Sequence, residues 1–84
     1  MYEVFFDPEA LEFLGKLDKT LARRIWNKIM LTKSEPHHFF ERLVGRKDHK
    51  LRIGDYRVIA DINDLSKRIE ITLIGHRKKI YKNK

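Results

Sequence analysis

From Lys47 onward the chain alternates. Leu51 and Ile53, then Tyr56, Val58, Ala60 and Ile62, then Ile69, Ile71 and Leu73 are apolar at every second position. That is the period of strands buried on one face. Gly54-Asp55 and Asn63-Asp64-Leu65-Ser66 supply turn chemistry between these runs, and Gly75 ends the last. The pattern predicts a three-stranded antiparallel meander. The first half keeps another period. Tyr2–Phe6 is a short aromatic and Val-containing run that predicts a strand. Asp7-Pro8-Glu9 then reads as a helix start, and Ala10, Leu11, Leu14 and Leu17 follow at helical spacing. Gly15 weakens this helix by about 1 kcal/mol relative to Ala. Asp18 is placed to cap a second helix. Its apolar stripe is Leu21, Ile25, Trp26 and Ile29, with Lys19, Arg23, Arg24, Asn27 and Lys28 around the other side. Pro36 disfavours helical geometry at Glu35 and ends the run. The joint between the helices is short, so they are expected to form an antiparallel hairpin. The expected fold class is α+β, with element order β-α-α-β-β-β: an N-terminal strand and a two-helix hairpin packed on one face of a small antiparallel sheet, a single domain over residues 1–84.

The same alternation assigns faces. If Val58, Ala60 and Ile62 point at the helices, Arg57, Ile59 and Asp61 point away. If Ile69, Ile71 and Leu73 also point inward, then Glu70, Thr72, Ile74 and His76 share the outer face with Arg57. The corresponding register puts Arg57 near Ile74 and makes His76 its diagonal neighbour. Lys50 and Arg52 share parity on the preceding strand. The outer face is therefore expected to carry a basic cleft of Lys50, Arg52, Arg57, His76 and Arg77, with Lys78, Lys79 and Tyr81 at its edge. An arginine in the middle of a sheet is costly unless it meets water or a partner, and its fork matches phosphate oxygens. The structural alternatives for Arg57 are an ion pair with Asp55 or Asp61, or a stem laid along the sheet.

Charge sharpens this picture. The chain holds 19 Lys and Arg against 12 Asp and Glu, a net charge of +7. Residues 1–41 carry 6 basic and 7 acidic side chains, whereas residues 42–84 carry 13 and 5. A basic half beside a nearly neutral half suits a polyanion, although an acidic protein would explain it as well as a nucleic acid. The absence of cysteine excludes disulfides, thiolate metal sites and a cysteine nucleophile. No apolar run approaches the ~20 residues of a membrane helix, and the N-terminus lacks the pattern of a secretory signal. The expected compartment is the cytoplasm. His37-His38 have no carboxylate or thiol at ligand spacing and are read as non-metal. Phe39, Phe40 and Leu43 are read as core.

Two segments, LRIGDYRVIADI (Leu51–Ile62) and IEITLIGHRKKIY (Ile69–Tyr81), follow FFERLVG (Phe39–Gly45). Together they resemble the RelE/ParE toxin superfamily of type II toxin–antitoxin pairs, and most nearly its RelE branch. The resemblance implies a twisted antiparallel sheet with two N-terminal helices. It implies cleavage of messenger RNA in the ribosomal A site without metal or cofactor, by attack of the RNA 2′-hydroxyl on the adjacent phosphorus. By motif, Arg57 would stabilise the pentavalent phosphate, Arg77 would hold the phosphate and protonate the leaving 5′-oxygen, and Tyr81 would stack on or orient a base. Lys50 and Arg52 fall where the family places basic residues, with Lys50 the candidate base. A free lysine is a poor base at neutral pH, so that role requires cationic neighbours. Asp48 stands where the family's second lysine would fall, and the Arg77–Tyr81 gap is shorter than in the best-known pattern. Imidazole suits general acid–base work, which makes His76 a further catalytic candidate. Lys47, His49, Lys78, Lys79 and Lys82 are the remaining RNA-binding candidates. The implied partners are an acidic RelB-like antitoxin, the ribosome and mRNA, with a monomeric toxin inside a heteromeric complex and no membrane. Two other functions fit the same pattern: a ParE-like inhibitor of DNA gyrase, and a basic RNA-binding domain without catalysis.

Overall fold

The structure, a computed structural model, describes residues 1–79. The elements in chain order are β1 (Glu3–Phe6), α1 (Pro8–Lys16), α2 (Lys19–Leu31), α3 (Pro36–Phe39), β2 (Glu41–Arg42), β3 (His49–Ile53), β4 (Tyr56–Asn63) and β5 (Arg68–His76). The α+β class and the strand–helix–helix–meander order hold. Two small elements join them where Pro36 was expected only to stop a helix. α2 ends at Leu31, before the proline, and Pro36 instead opens the short α3, where its missing N–H is harmless.

The sheet has five strands in the order β1-β5-β4-β3-β2. It is mixed rather than wholly antiparallel, because β1 runs parallel to β5, with Val4 beside Ile69 and Phe6 beside Ile71. Side-chain period cannot reveal the direction of pairing, and a four-residue strand carries no other cue. Asp7 does not cap α1 with its side chain; its main-chain N–H donates to Ile71 O at 2.8 Å and extends the β1–β5 pairing. Asp18 caps α2 as expected, accepting from Leu21 N at 3.2 Å.

The helices cover one face of the sheet. Ala10 and Leu14 of α1 and Ile25 and Ile29 of α2 are buried in one cluster with Leu51, Val58, Ala60, Ile69, Ile71 and Ile74. Ile25, Ile29, Ile69 and Ile71 have no exposed surface, and each such side chain contributes about 1.5–3 kcal/mol relative to an exposed one. Phe6 stacks on Trp26 with centroids 5.1 Å apart. Phe40 is buried and Phe39 packs against the cluster, as the core reading expects.

One irregularity decides where the functional side chains point. The β4–β5 register shifts between Ile59 and Ala60: Ala60 lies opposite Ile71, but Ile59 lies opposite Leu73. Thr72 is the extra residue, and its hydroxyl donates to Ile59 O at 3.2 Å. A bulge of this kind reverses side-chain parity beyond it. Ile74 therefore turns into the core, and Arg57 faces Gly75 rather than Ile74.

Candidate functional site

The basic side chains meet at the β3–β4 turn, Gly54-Asp55. Gly54 has φ +59, a left-handed conformation that glycine adopts without a Cβ penalty. Its carbonyl accepts from Arg57 Nη1 at 3.4 Å, and the Tyr56 carbonyl accepts from the same atom at 3.1 Å. Arg57 is only 6% exposed. No carboxylate neutralises it among the described residues, so neither Asp55 nor Asp61 is its partner. Neutral carbonyls fix the side chain while leaving its charge uncompensated. A guanidinium has five N–H donors, which leaves others for an anion.

Arg77 reaches the same turn from the end of β5. Its main-chain N–H donates to Asp55 O at 2.8 Å, and its Nε stands 3.8 Å from the Asp55 carboxylate. This pair is loose and exposed, the kind that contributes little to stability but limits where the arm can swing. Arg52 lies directly opposite Arg57 across β3 and β4, and Lys50 lies opposite Ile59 on the same face. Two like charges directly opposed on a sheet repel; an anion between them would relieve the cost. Glu41 of β2 is the acid that the register puts beside Lys50.

Arg24 approaches the turn from α2. A Cβ built on Gly54 would sit 3.5 Å from Arg24 Nη2. Helical period had left Arg24 on the solvated side of its helix. A signal was present: none of Arg23, Arg24 and Lys28 has an acid three or four positions away, so no intrahelical pair can neutralise them.

The other expected residues separate from this group. His76 does not share the outer face with Arg57. The Thr72 bulge sets it opposite Tyr56 on the helix side, with ring centroids 5.4 Å apart. There it lines a cleft of about 940 Å³ with Glu9, Phe13, Lys78 and Lys79, and its Nδ1 accepts the Lys78 N–H at 3.2 Å. Lys78 and Lys79 thus border a different cleft from the one expected. His49 also faces the helix side, opposite Ala60, edge-on to His37 at 5.5 Å. Burial first, then the neighbouring His37 and Arg42, hold its pKa below the ordinary value. A neutral imidazole at that place lends no charge to a phosphate at Arg57. Lys47 belongs to the β2–β3 loop beside Arg42 and Arg46. In that loop Asp48 pairs with Arg46 at 2.6 Å. Tyr81 and Lys82 lie outside the described residues. Among the described residues no group of three His, Cys, Asp or Glu side chains could hold a metal ion.

A cationic group thus lies on the open face of this sheet, with the helices on the other face. Residues 4–81 match the family described as the ParE toxin of the type II toxin–antitoxin system parDE. The chain belongs to that family, within the RelE/ParE superfamily. Solved structures agree on the fold. An archaeal RelE–RelB complex from Pyrococcus horikoshii is 28% identical, with a TM-score of 0.78 over 93% of this chain and 97% of the other. The RelBE2 toxin–antitoxin complex from Mycobacterium tuberculosis is 24% identical, with a TM-score of 0.80 over 90% and 98%. The intact E. coli RelBE complex is 21% identical, with a TM-score of 0.79 over 90% and 96%. No curated protein sequence matches the chain.

Proposed function

We propose that this toxin is a RelE-like endoribonuclease that cuts messenger RNA on the ribosome without a metal ion. The observation that carries the reading is the gathering of Arg57, Arg77, Arg52 and Lys50 about one turn and one sheet face. In the reaction, the 2′-oxygen bonds to phosphorus as its proton leaves, and the bond from phosphorus to the 5′-oxygen breaks as that oxygen gains a proton. The products are a 2′,3′-cyclic phosphate and a 5′-hydroxyl. Charge builds on the phosphoryl oxygens, and fixed cations stabilise it most where they need not reorganise. Arg57, clamped to two carbonyls, is such a cation. Arg77, on a looser tether, follows the leaving oxygen. Lys50, beside Arg52 on the same face, is the group offered for the 2′-hydroxyl proton. His76 is withdrawn from this role by its place on the other face.

The partner is a RelB-like antitoxin. The Pyrococcus horikoshii and E. coli relatives are seen in complexes of that kind, and the basic half of this chain suits an acidic polypeptide. The toxin is a monomer in that complex and works in the cytoplasm. A second reading, gyrase inhibition, draws on the family match itself. Toeprinting of a translated message separates the two. The nuclease reading expects new 3′ ends in the A site on addition of toxin. Intact message, together with loss of gyrase supercoiling, would overturn it.

A further inference from the structure

We propose that α2 and the end of β3 form a second anion-binding cleft, which holds the backbone of a single RNA strand on the helix side of the Gly54-Asp55 turn. The inference rests on the ribonuclease reading and extends it to where the rest of the strand lies.

The cleft has a volume of about 620 Å³. One wall is a face of α2 bearing Thr20, Arg23, Arg24, Asn27, Lys28 and Leu31; the other is Arg52, Ile53 and Gly54. These α2 positions recur at three- and four-residue steps, so their side chains rise in a row with the helix pitch of about 5.4 Å. No carboxylate among the described residues lines the cleft. Among the described residues, none of Arg23, Arg24, Lys28 and Arg52 makes an ion pair. Lys28 stands over the Phe39 ring at 5.6 Å, which steadies its stem without cancelling its charge.

The turn joins this cleft to the candidate active site. Arg24 lies over Gly54 on one side, while Arg57 holds the Gly54 carbonyl. Arg52 lines the cleft and also stands directly opposite Arg57. β2 pairs only with His49 and Lys50, so among the described residues no strand covers β3 at Arg52. The cations therefore form one band around the end of β3, and a strand with one phosphate at Arg57 can lay its neighbours along α2.

The chemistry favours RNA over an acidic peptide. Guanidinium forks match phosphate oxygens in two-point contacts, and Thr20 and Asn27 add neutral donors between the charges. An amphipathic acidic helix would need a row of apolar anchor sites. Among the described residues the cleft offers one exposed apolar side chain, Leu31, which is no row; the larger apolar group lies elsewhere, where Leu11 and Trp26 are exposed beside Leu14 and Ala22.

The test uses the triple variant Arg23→Gln/Arg24→Gln/Lys28→Gln and a uniformly 2′-O-methylated 12-nucleotide RNA, which cannot be cut. Binding is measured across a salt series. Each phosphate that the protein no longer neutralises lowers the slope of log K against log salt by about 0.7. The triple variant should therefore bind about tenfold or more weakly near 0.1 M salt, with the slope reduced by about 2. Arg23→Lys/Arg24→Lys should keep most of the slope, which separates loss of charge from damage to the helix. Unchanged affinity and slope in the triple variant would overturn the proposal. So would loss of binding to a polyglutamate peptide with RNA binding intact. If the wild type never cuts message but the triple variant loses RNA affinity, the cleft stands and the nuclease reading falls. If the wild type cuts and the triple variant binds RNA normally, only the cleft falls.

Discussion

The two ends of the sheet treat charge in opposite ways. At the β4–β5 end, Asp64 accepts the Tyr2 hydroxyl at 2.6 Å and the His37 Nε2 at 2.8 Å. The Tyr2 hydrogen bond first, then that of His37, hold its carboxyl below the ordinary value. The residue before β1, the short α3 and the turn are tied together there, and the charge is consumed by the tie. At the β3–β4 end, three arginines from three parts of the chain meet one turn, yet among the described residues their one carboxylate neighbour is Asp55, a loose 3.8 Å from Arg77. Charge that a fold satisfies internally holds the fold; charge that it positions and leaves unsatisfied is available to a ligand. His37 and His49 sit at the satisfied end and His76 beside α1, whereas Arg24, Arg57 and Arg77 meet at the other; Arg68, at the satisfied end, lies over the Phe5 ring at 3.9 Å. This is why the cations, and not the imidazoles, define the candidate site.

That contrast can be broken by substitution, and the arginine pair should give the largest effect. Arg57→Ala with Arg77→Ala should lower cleavage of ribosome-bound message by about 100-fold or more, read by primer extension, while the fold measured by circular dichroism remains. Equal loss from Asp64→Asn would erase the distinction between the ends. Gly54→Ala should destabilise the domain by about 1–2 kcal/mol, because its φ of +59 strains a residue with a Cβ. The added Cβ would only touch the Arg24 guanidinium at 3.5 Å, so RNA binding should change little; chemical denaturation and a binding titration check the two expectations. Asp55→Asn should change cleavage only severalfold, since it frees the Arg77 side chain but keeps the main-chain bond to the turn. Single-turnover rates at saturating ribosomes measure it.

Asp64→Asn should lower Tm and leave cleavage unchanged, which a thermal melt beside an activity assay can read. Acidification probes the same end. The folded pKa of His49 lies below its ordinary 6.5, so the unfolded chain takes up more protons as pH falls through that value. The contribution of neutral His49 is complete above it and declines below it. The pKa of Asp64 is likewise held below its ordinary 3.8, so its contribution is present above that value and is lost as pH falls through the folded one. Tm should therefore fall in two steps, and His49→Gln should remove the first without altering the second.

Much of this molecule can be read from period alone. Val58, Ala60, Ile69 and Ile71 alternate into the core as expected, and Asp18 caps α2. Arg57, Arg52 and Lys50 share a face because no irregularity intervenes between β3 and β4. Period failed where one residue broke the count. Thr72 has no composition cue that marks a bulge, yet it moved Ile74 inward and carried His76 to the other face. The parallel β1 and the two-residue β2 depend on tertiary pairing that no local pattern encodes. Arg24 was missed for a similar reason: helical period shows which side chains share a face, but not which turn that face meets.

If cations fixed at the Gly54-Asp55 turn break RNA chains, removing them must remove the broken ends. Mapping of 5′ ends on messages from translating ribosomes, with and without Arg57→Ala/Arg77→Ala, measures this. The wild type should leave codon-phased fragments bearing 5′-hydroxyl and 2′,3′-cyclic phosphate termini, and the variant should leave none. Fragments of the same kind and abundance from both proteins, or none from the wild type, would refute a catalytic role for these arginines.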